Sequence, residues 1–265
     1  MDDSVPGGGG DGRRPEGDLS LFRAAAADDL RLLAVLHDRE LDARRLQALW
    51  QDDGYEEFLG LRLIGEPARQ ALGLLRAGLT DIPVALDTAS LDLLAADYAD
   101  IYLTHGLRAS PCESVWLDED GLVMQAAMFE LRNWYARYGL AVQDWRLRSD
   151  DHLVHQLQFA AHLLAPEEEE GAELAEVAQF LDDHLLLWID RFAERVAARC
   201  QTRFYAGLAL LTAAWLDEFR EILVELAQTP RPTAEEIQAR RRPRPAVSVT
   251  VPPPSTFVPG SGPVW

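Results

Sequence analysis

Lysine is absent from this 265-residue chain: all 25 basic side chains are arginine, set against 44 aspartates and glutamates. A phosphate-binding loop of the Gly-x-x-x-x-Gly-Lys-Ser/Thr type is thereby excluded. So is a Schiff-base site for pyridoxal phosphate or an aldolase, since each needs the lysine amine. Positive charge is scarce too. The net charge of −19 and pI near 4.6 make the body a poor nucleic-acid binder, because phosphate contact depends on clustered Lys and Arg. An acidic surface instead favours cationic partners through long-range attraction. Cysteine is nearly missing: Cys112 and Cys200 are too few and too far apart for a disulfide framework or a zinc knuckle, and read as free thiols in a reducing compartment. No stretch approaches the about 18 uninterrupted apolar residues of a membrane span. The longest, Tyr205 to Leu216, is closed by Arg203 and Asp217. Arg13-Arg14 is followed by Pro15-Glu16-Gly17-Asp18 and not by an apolar region, so no export signal is read there. The expectation is a cytoplasmic chain with no stable membrane insertion.

Composition divides the chain in three. Residues 1–18 hold Gly7 to Gly10 and almost no apolar side chains, which predicts a disordered tail. Residues 230–265 hold nine of the 15 prolines and predict an extended, disordered Pro/Arg-rich tail. Its run Arg240-Arg241-Arg242-Pro243-Arg244 reads as a solvated cationic patch, with contact to the acidic core or to anionic lipid as alternatives. Between the tails, 19–229 forms the expected domain, large enough for one substantial core. The two tails carry about equal and opposite charge, so the middle alone holds the −19.

That middle is written in helical period. Leu91, Leu94, Tyr98 and Ile101 recur at steps of three and four. So do Val123, Ala127, Leu131, Trp134 and Tyr138, then Leu153, Leu157, Ala160 and Leu164, then Leu208, Leu211, Trp215, Phe219, Ile222 and Leu226. Each set places one apolar stripe on a helix. Period-two alternation is confined to Val247–Val251 in the tail. The predicted architecture is an all-α, single-domain bundle of roughly eight to ten helices.

Several familiar motifs fail on inspection. Gly7-x-Gly9-x-x-Gly12 fits the dinucleotide fingerprint but has no strand before it. A di-iron bundle needs Glu-x-x-His pairs, and no glutamate here has a histidine three residues on. His37-Asp38 suggests a metal phosphohydrolase, yet no histidine precedes it to complete the set. His152, His155 and His162 lack a convincing further ligand, so no metal and no cofactor is expected.

Two segments stand out. Ser110-Pro111-Cys112-Glu113-Ser114-Val115-Trp116 leads to Gly121 and combines a tryptophan with carboxylates in a loop, a composition enriched at binding sites. Ser149-Asp150-Asp151-His152 opens a helix that continues through Gln156-Leu157-Gln158-Phe159. A plain structural reading competes in both: Asp150 or Asp151 is a good N-cap, accepting free backbone N–H groups at the positive end of the helix.

Together with Asp97-Tyr98-Ala99-Asp100-Ile101-Tyr102, Leu122-Val123-Met124-Gln125, Trp134-Tyr135 and Gly139-Leu140, these blocks resemble, in order and spacing, the TorD-type maturation chaperones of molybdenum-containing reductases, a group that includes DmsD- and NarJ-like proteins. The resemblance runs from about Leu30 to about Leu226. Two positions depart from the family pattern: Cys112 stands in place of a tyrosine and Ser149 in place of a proline. The resemblance implies an all-helical chaperone, not an enzyme. It would bind the twin-arginine leader and the apo-form of a molybdopterin oxidoreductase, assist cofactor insertion and hold back export until maturation. It would be a monomer or a domain-swapped dimer. By the same resemblance Asp151, His152, Glu113, Ser114 and Trp116 contribute to leader binding. The leader's cationic head would meet carboxylates such as Asp151 and Glu113. Its apolar stretch would lie in a groove lined by residues like Trp116 and Phe159, and His152, titrating near pH 6.5, would tune the affinity. A helical adaptor that binds a folded partner without any leader is the alternative.

Overall fold

The computed structural model describes residues 15–51, 59–83, 85–165 and 172–241. These contain eleven α-helices: α1 (Pro15–Asp38), α2 (Ala43–Gln51), α3 (Glu66–Thr80), α4 (Thr88–Tyr98), α5 (Ser114–Leu117), α6 (Ala126–Arg137), α7 (Leu153–Leu163), α8 (Leu174–Asp183), α9 (Ile189–Arg199), α10 (Arg203–Ala227) and α11 (Ala234–Arg241). No strand occurs among the described residues, and the all-α expectation holds. The count passes ten because α5 is a single turn and α11 lies where an extended tail was expected.

Both ends differ from the expected limits for readable reasons. α1 starts at Pro15, where a missing N–H costs a helix nothing, and Asp18 follows in the first turn at the positive end. α11 is nucleated by a capping box: the Thr233 hydroxyl accepts from the Glu236 N–H while the Glu236 carboxylate accepts from the Thr233 N–H. It belongs to a unit of its own, from Pro232 onward. The tail expectations for 1–14 and 242–265 lie outside the described residues. No helix among the described residues is long and apolar enough to cross a membrane.

The long helix α10 is the axis of the bundle. It buries Phe204, Tyr205, Trp215 and Phe219 and packs against α3, α8 and α9, while α1 packs against α7. Each such ring removes about 150–250 Å² from water, the dominant favourable term in the fold. α3 and α10 run antiparallel in very close approach, with Gly78 against Phe204 and Gly207 against Leu75.

Much of the acidity is structural. Asp97 is buried and accepts from the Gln201 and Thr202 N–H groups and the Thr202 hydroxyl, capping the start of α10. Glu218 accepts from the Ile64 and Gly65 N–H groups ahead of α3. Asp29 accepts from the Gly60 and Leu61 N–H groups and the Trp215 indole. The negative ends of these side chains meet the unpaired donors that every helix start and loop leaves behind. In the opposite sense, buried Arg23 donates to the carbonyls of Leu163, Leu164, Ala165 and Ala172 beyond the end of α7.

Candidate functional site

The two singled-out segments meet. The loop 110–113 runs antiparallel to the turn 149–152, with Glu113 N–H donating to the Asp151 carbonyl at 3.0 Å and Leu153 N–H to the Pro111 carbonyl at 2.8 Å. Asp151 then does from its side chain what a cap does across space. Its Oδ2 accepts from the Ser114 N–H at 2.8 Å, satisfying the start of α5 instead of its own helix. The N-cap of α7 is His152, whose Nδ1 accepts from the Val154 N–H at 3.1 Å and whose proton therefore sits on Nε2. The Ser114 hydroxyl accepts from the Gln125 N–H, drawing in the approach to α6. Glu113 places both carboxylate oxygens 3.2 Å from His184 Nδ1. Asp150 pairs with Arg132, and its carbonyl accepts from the Tyr135 hydroxyl, so the turn is held without a proline at 149.

All five residues expected at the leader site therefore converge on one seam, and all five are buried: Glu113 and Asp151 at 0%, Ser114 at 1%, His152 at 5% and Trp116 at 9% exposure. Their carboxylates face backbone donors and His184, not solvent. Trp116 is anchored by its indole N–H to the Ser110 carbonyl, stacks on Trp188 and is covered outside by the guanidiniums of Arg191 and Arg195. Cys112 is buried and its thiol is pushed up to about 12, which keeps it protonated and inert.

Beside the seam opens a cleft of about 670 Å³ between α6, the outer face of α7 and the loop 140–148. Leu140, Val142, Leu147 and Phe159 make its apolar wall; His155, Gln158 and His162 line α7; Asp144 and Arg148 are its charged groups. Phe159 was expected in such a groove and is there. Trp116 is not among the lining residues, so the expectation of one groove lined by both rings fails. Sequence reading singled out only Leu140 of the loop 140–148 and missed the rest. Its one signal is Leu147, which falls among polar neighbours and stands 89% exposed. Asp144 is exposed and has no ion-pair partner among the described residues, whereas Asp38 is paired with Arg148 and Arg39.

Protonation of His152 near pH 6.5 does not arise in this structure, because burial, helped by Arg148, pushes its pKa well below the ordinary value. His37 is fully buried between the Tyr102 and Thr212 hydroxyls and is likewise lowered, to about 3. Both groups are depressed bases, so their contribution is complete above about pH 6.5. It is lost as pH falls below that value, where the unfolded chain binds protons that the folded chain refuses. Each costs up to about 1.4 kcal/mol per pH unit. Asp29, raised by burial, works in the opposite direction and trims the loss. A fall of about 2–4 kcal/mol in unfolding free energy is expected between pH 7 and pH 5. Urea titrations at several pH values would measure it; a flat profile would refute it, and His37→Gln should remove part of the slope, the rest belonging to His152 and to His155, which burial also lowers.

Fold and site define a helical binding protein: a bundle with an apolar cleft beside a seam of buried carboxylates. The family model described as "Nitrate reductase delta subunit" matches residues 63–194, which span the seam and the cleft. Chaperone protein TorD of Shewanella loihica is 31% identical over 210 residues, covering 77% of this chain and 95% of that protein. Chaperone protein TorD of Vibrio cholerae is 33% identical over 142 residues, covering 51% of this chain and 64% of that protein. Chaperone protein TorD of Shewanella oneidensis is 31% identical over 201 residues, covering 72% and 87%. The chain belongs to the TorD family of maturation chaperones; it is a chaperone and not an enzyme.

Proposed function

We propose that this chaperone acts in the cytoplasm on a molybdopterin-containing oxidoreductase, binding its twin-arginine leader and apo-form, assisting cofactor insertion and delaying export until maturation is complete. The observation that carries the reading is the pairing of an apolar cleft with an exposed carboxylate, without an ion-pair partner among the described residues, at its rim on a body of charge −19. A twin-arginine leader has the complementary halves. Its apolar stretch would lie against Leu140, Val142, Leu147 and Phe159. Its cationic head, steered by the acidic surface, would meet Asp144.

Asp151, His152, Glu113, Ser114 and Trp116 then serve this reading as positioning residues. They fix the turn from which α7 and the loop 140–148 present the cleft. Alanine at Asp151 or His152 removes a buried cap worth about 1 kcal/mol and disturbs that placement along with the fold. Surface changes make a cleaner test. A synthetic twin-arginine leader should bind the full chain saturably. Leu147→Asp, at a position already in solvent, should weaken binding at least tenfold with helix content unchanged, and Asp144→Arg should weaken it several-fold, with the greatest effect at low salt. Affinity should stay flat from about pH 6 to 8 as far as His152 is concerned.

A second reading, an adaptor for a folded partner without leader recognition, draws on Leu122, Val123 and Phe129, all about half exposed ahead of and on α6. Absence of saturable leader binding at high micromolar peptide would favour it.

A further inference from the structure

Ten of the described arginines form ion pairs with carboxylates, Arg132 with Asp150 and Arg137 with Glu176 among them. A row on α9 does not. Arg191, Arg195 and Arg199 recur every four residues, all exposed, and no carboxylate among the described residues lies within ion-pairing distance of any of them. The acids of the same helix, Asp190 and Glu194, sit one position earlier on the adjoining face, where burial, with Asp217 and Glu194 nearby, raises the Asp190 carboxyl. The arginines are nonetheless held. Arg191 donates to the Leu187 carbonyl, Arg195 to the Arg108 carbonyl and Arg199 to the Leu107 carbonyl. The guanidiniums of Arg195 and Arg191 lie 4.7 and 5.7 Å from the centre of the Trp116 ring. Arg108 adds a fourth exposed guanidinium on this side, from a loop residue with φ of 52°, a conformation few non-glycine residues adopt. Rings and carbonyls thus fix three forked donors in place while leaving the remaining N–H groups open to solvent.

We propose that this row docks an acidic segment of a partner protein, one carrying carboxylates at alternate residues of an extended stretch. The spacing fits: arginines four apart on a helix are about 6 Å apart along its axis, and alternate side chains of an extended chain are about 6.6 Å apart on one face. Three arginines and three such carboxylates stay in register over about 12 Å. A single small anion gains little here, since one exposed ion pair is worth at most about fivefold in affinity, whereas several in register multiply. Nucleic acid and anionic membrane present extended charge of the same sign as the whole body and are repelled by it. At about 0.15 M salt, screening over about 8 Å lets a narrow acidic segment respond to the row more than to the surrounding acids.

The surface is separate from the cleft, so its test stands apart from leader recognition. A fluorescein-labelled Glu-Ser-Glu-Ser-Glu-Ser peptide, titrated against the full chain by anisotropy at about 0.15 M salt, should bind saturably with one site. Arg195→Gln with Arg199→Gln should weaken it at least tenfold, while Arg69→Gln, an exposed arginine elsewhere, leaves it unchanged. Arg191→Glu, at a side chain that contacts the Leu187 carbonyl just ahead of α9 and the Trp116 ring, should do the same if the double variant loses helix content. All these variants should bind the twin-arginine leader as wild type does. Unsaturable peptide binding, equal loss with Arg69→Gln, or inorganic pyrophosphate binding more tightly than the peptide would overturn the proposal.

Discussion

Adding one methyl at Gly207 should cost the protein about 2–3 kcal/mol, read as a fall of about 5–10 °C in Tm. A Cβ there would lie 2.4 Å from the Leu75 backbone nitrogen and 2.6 Å from its Cα, and at Gly78 it would lie 2.3 Å from the Phe204 nitrogen. These neighbours are backbone, so no rotamer change relieves the overlap; α3 and α10 must move apart along the buried seam between them. Gly78→Ala should therefore behave as Gly207→Ala does. The control is Gly73→Ala on the same α3, where a Cβ meets nothing within 4 Å. It should stabilise by about 0.5–1 kcal/mol through helix propensity alone. Thermal melts of the three variants decide the matter: if Gly207→Ala gains stability as Gly73→Ala does, the close approach of the two helices is wrong.

Arg220→Leu is the second large effect, with an expected loss of about 3–5 kcal/mol. The Arg220 side chain is 1% exposed and that of Asp182 6%; they form a two-pronged pair at 2.9 and 2.8 Å that ties α10 to α8. The same guanidinium donates to the Thr229 and Pro230 carbonyls, catching the chain where α10 ends at Gln228 in a left-handed conformation. Leucine would leave the Asp182 carboxylate buried without its partner and free both carbonyls. Removing the stranded charge as well, in Asp182→Leu with Arg220→Leu, should recover a substantial part of the loss, because the penalty is that of an unpaired ion more than of a missing attraction. Urea unfolding of the single and double variants measures both. A double variant no more stable than the single would show that the carbonyl contacts, and not the ion pair, carry the effect.

The candidate site shows how far side-chain type and spacing reach. The motifs of 110–116 and 149–159 were legible as special, and the structure joins them in one seam. What could not be read was the direction of the side chains. Asp151 suits a cap of its own helix, and periodicity alone predicts that; it caps α5, 37 residues away, because the chain folds back and brings an unsatisfied Ser114 N–H to it. Glu113 looks like a surface carboxylate until α8 places His184 against it. Trp116 looks like the wall of a groove until α9 lays arginines over it. The cleft itself is built largely by residues 140–148, a stretch without strong periodicity whose role depends on what it faces.

Local physics thus decided the all-helical class, through apolar stripes at steps of three and four, and the chemistry excluded by a chain with no lysine. The family was legible for the same reason, since the blocks that identify it are short and contiguous. Burial, the pairing of charges and the choice of cleft were decided by tertiary structure alone. Each depends on which backbone donor, ring or ion arrives from a distant part of the chain, and in an interior of low polarity that arrival determines whether a carboxylate becomes a cap or a contact surface.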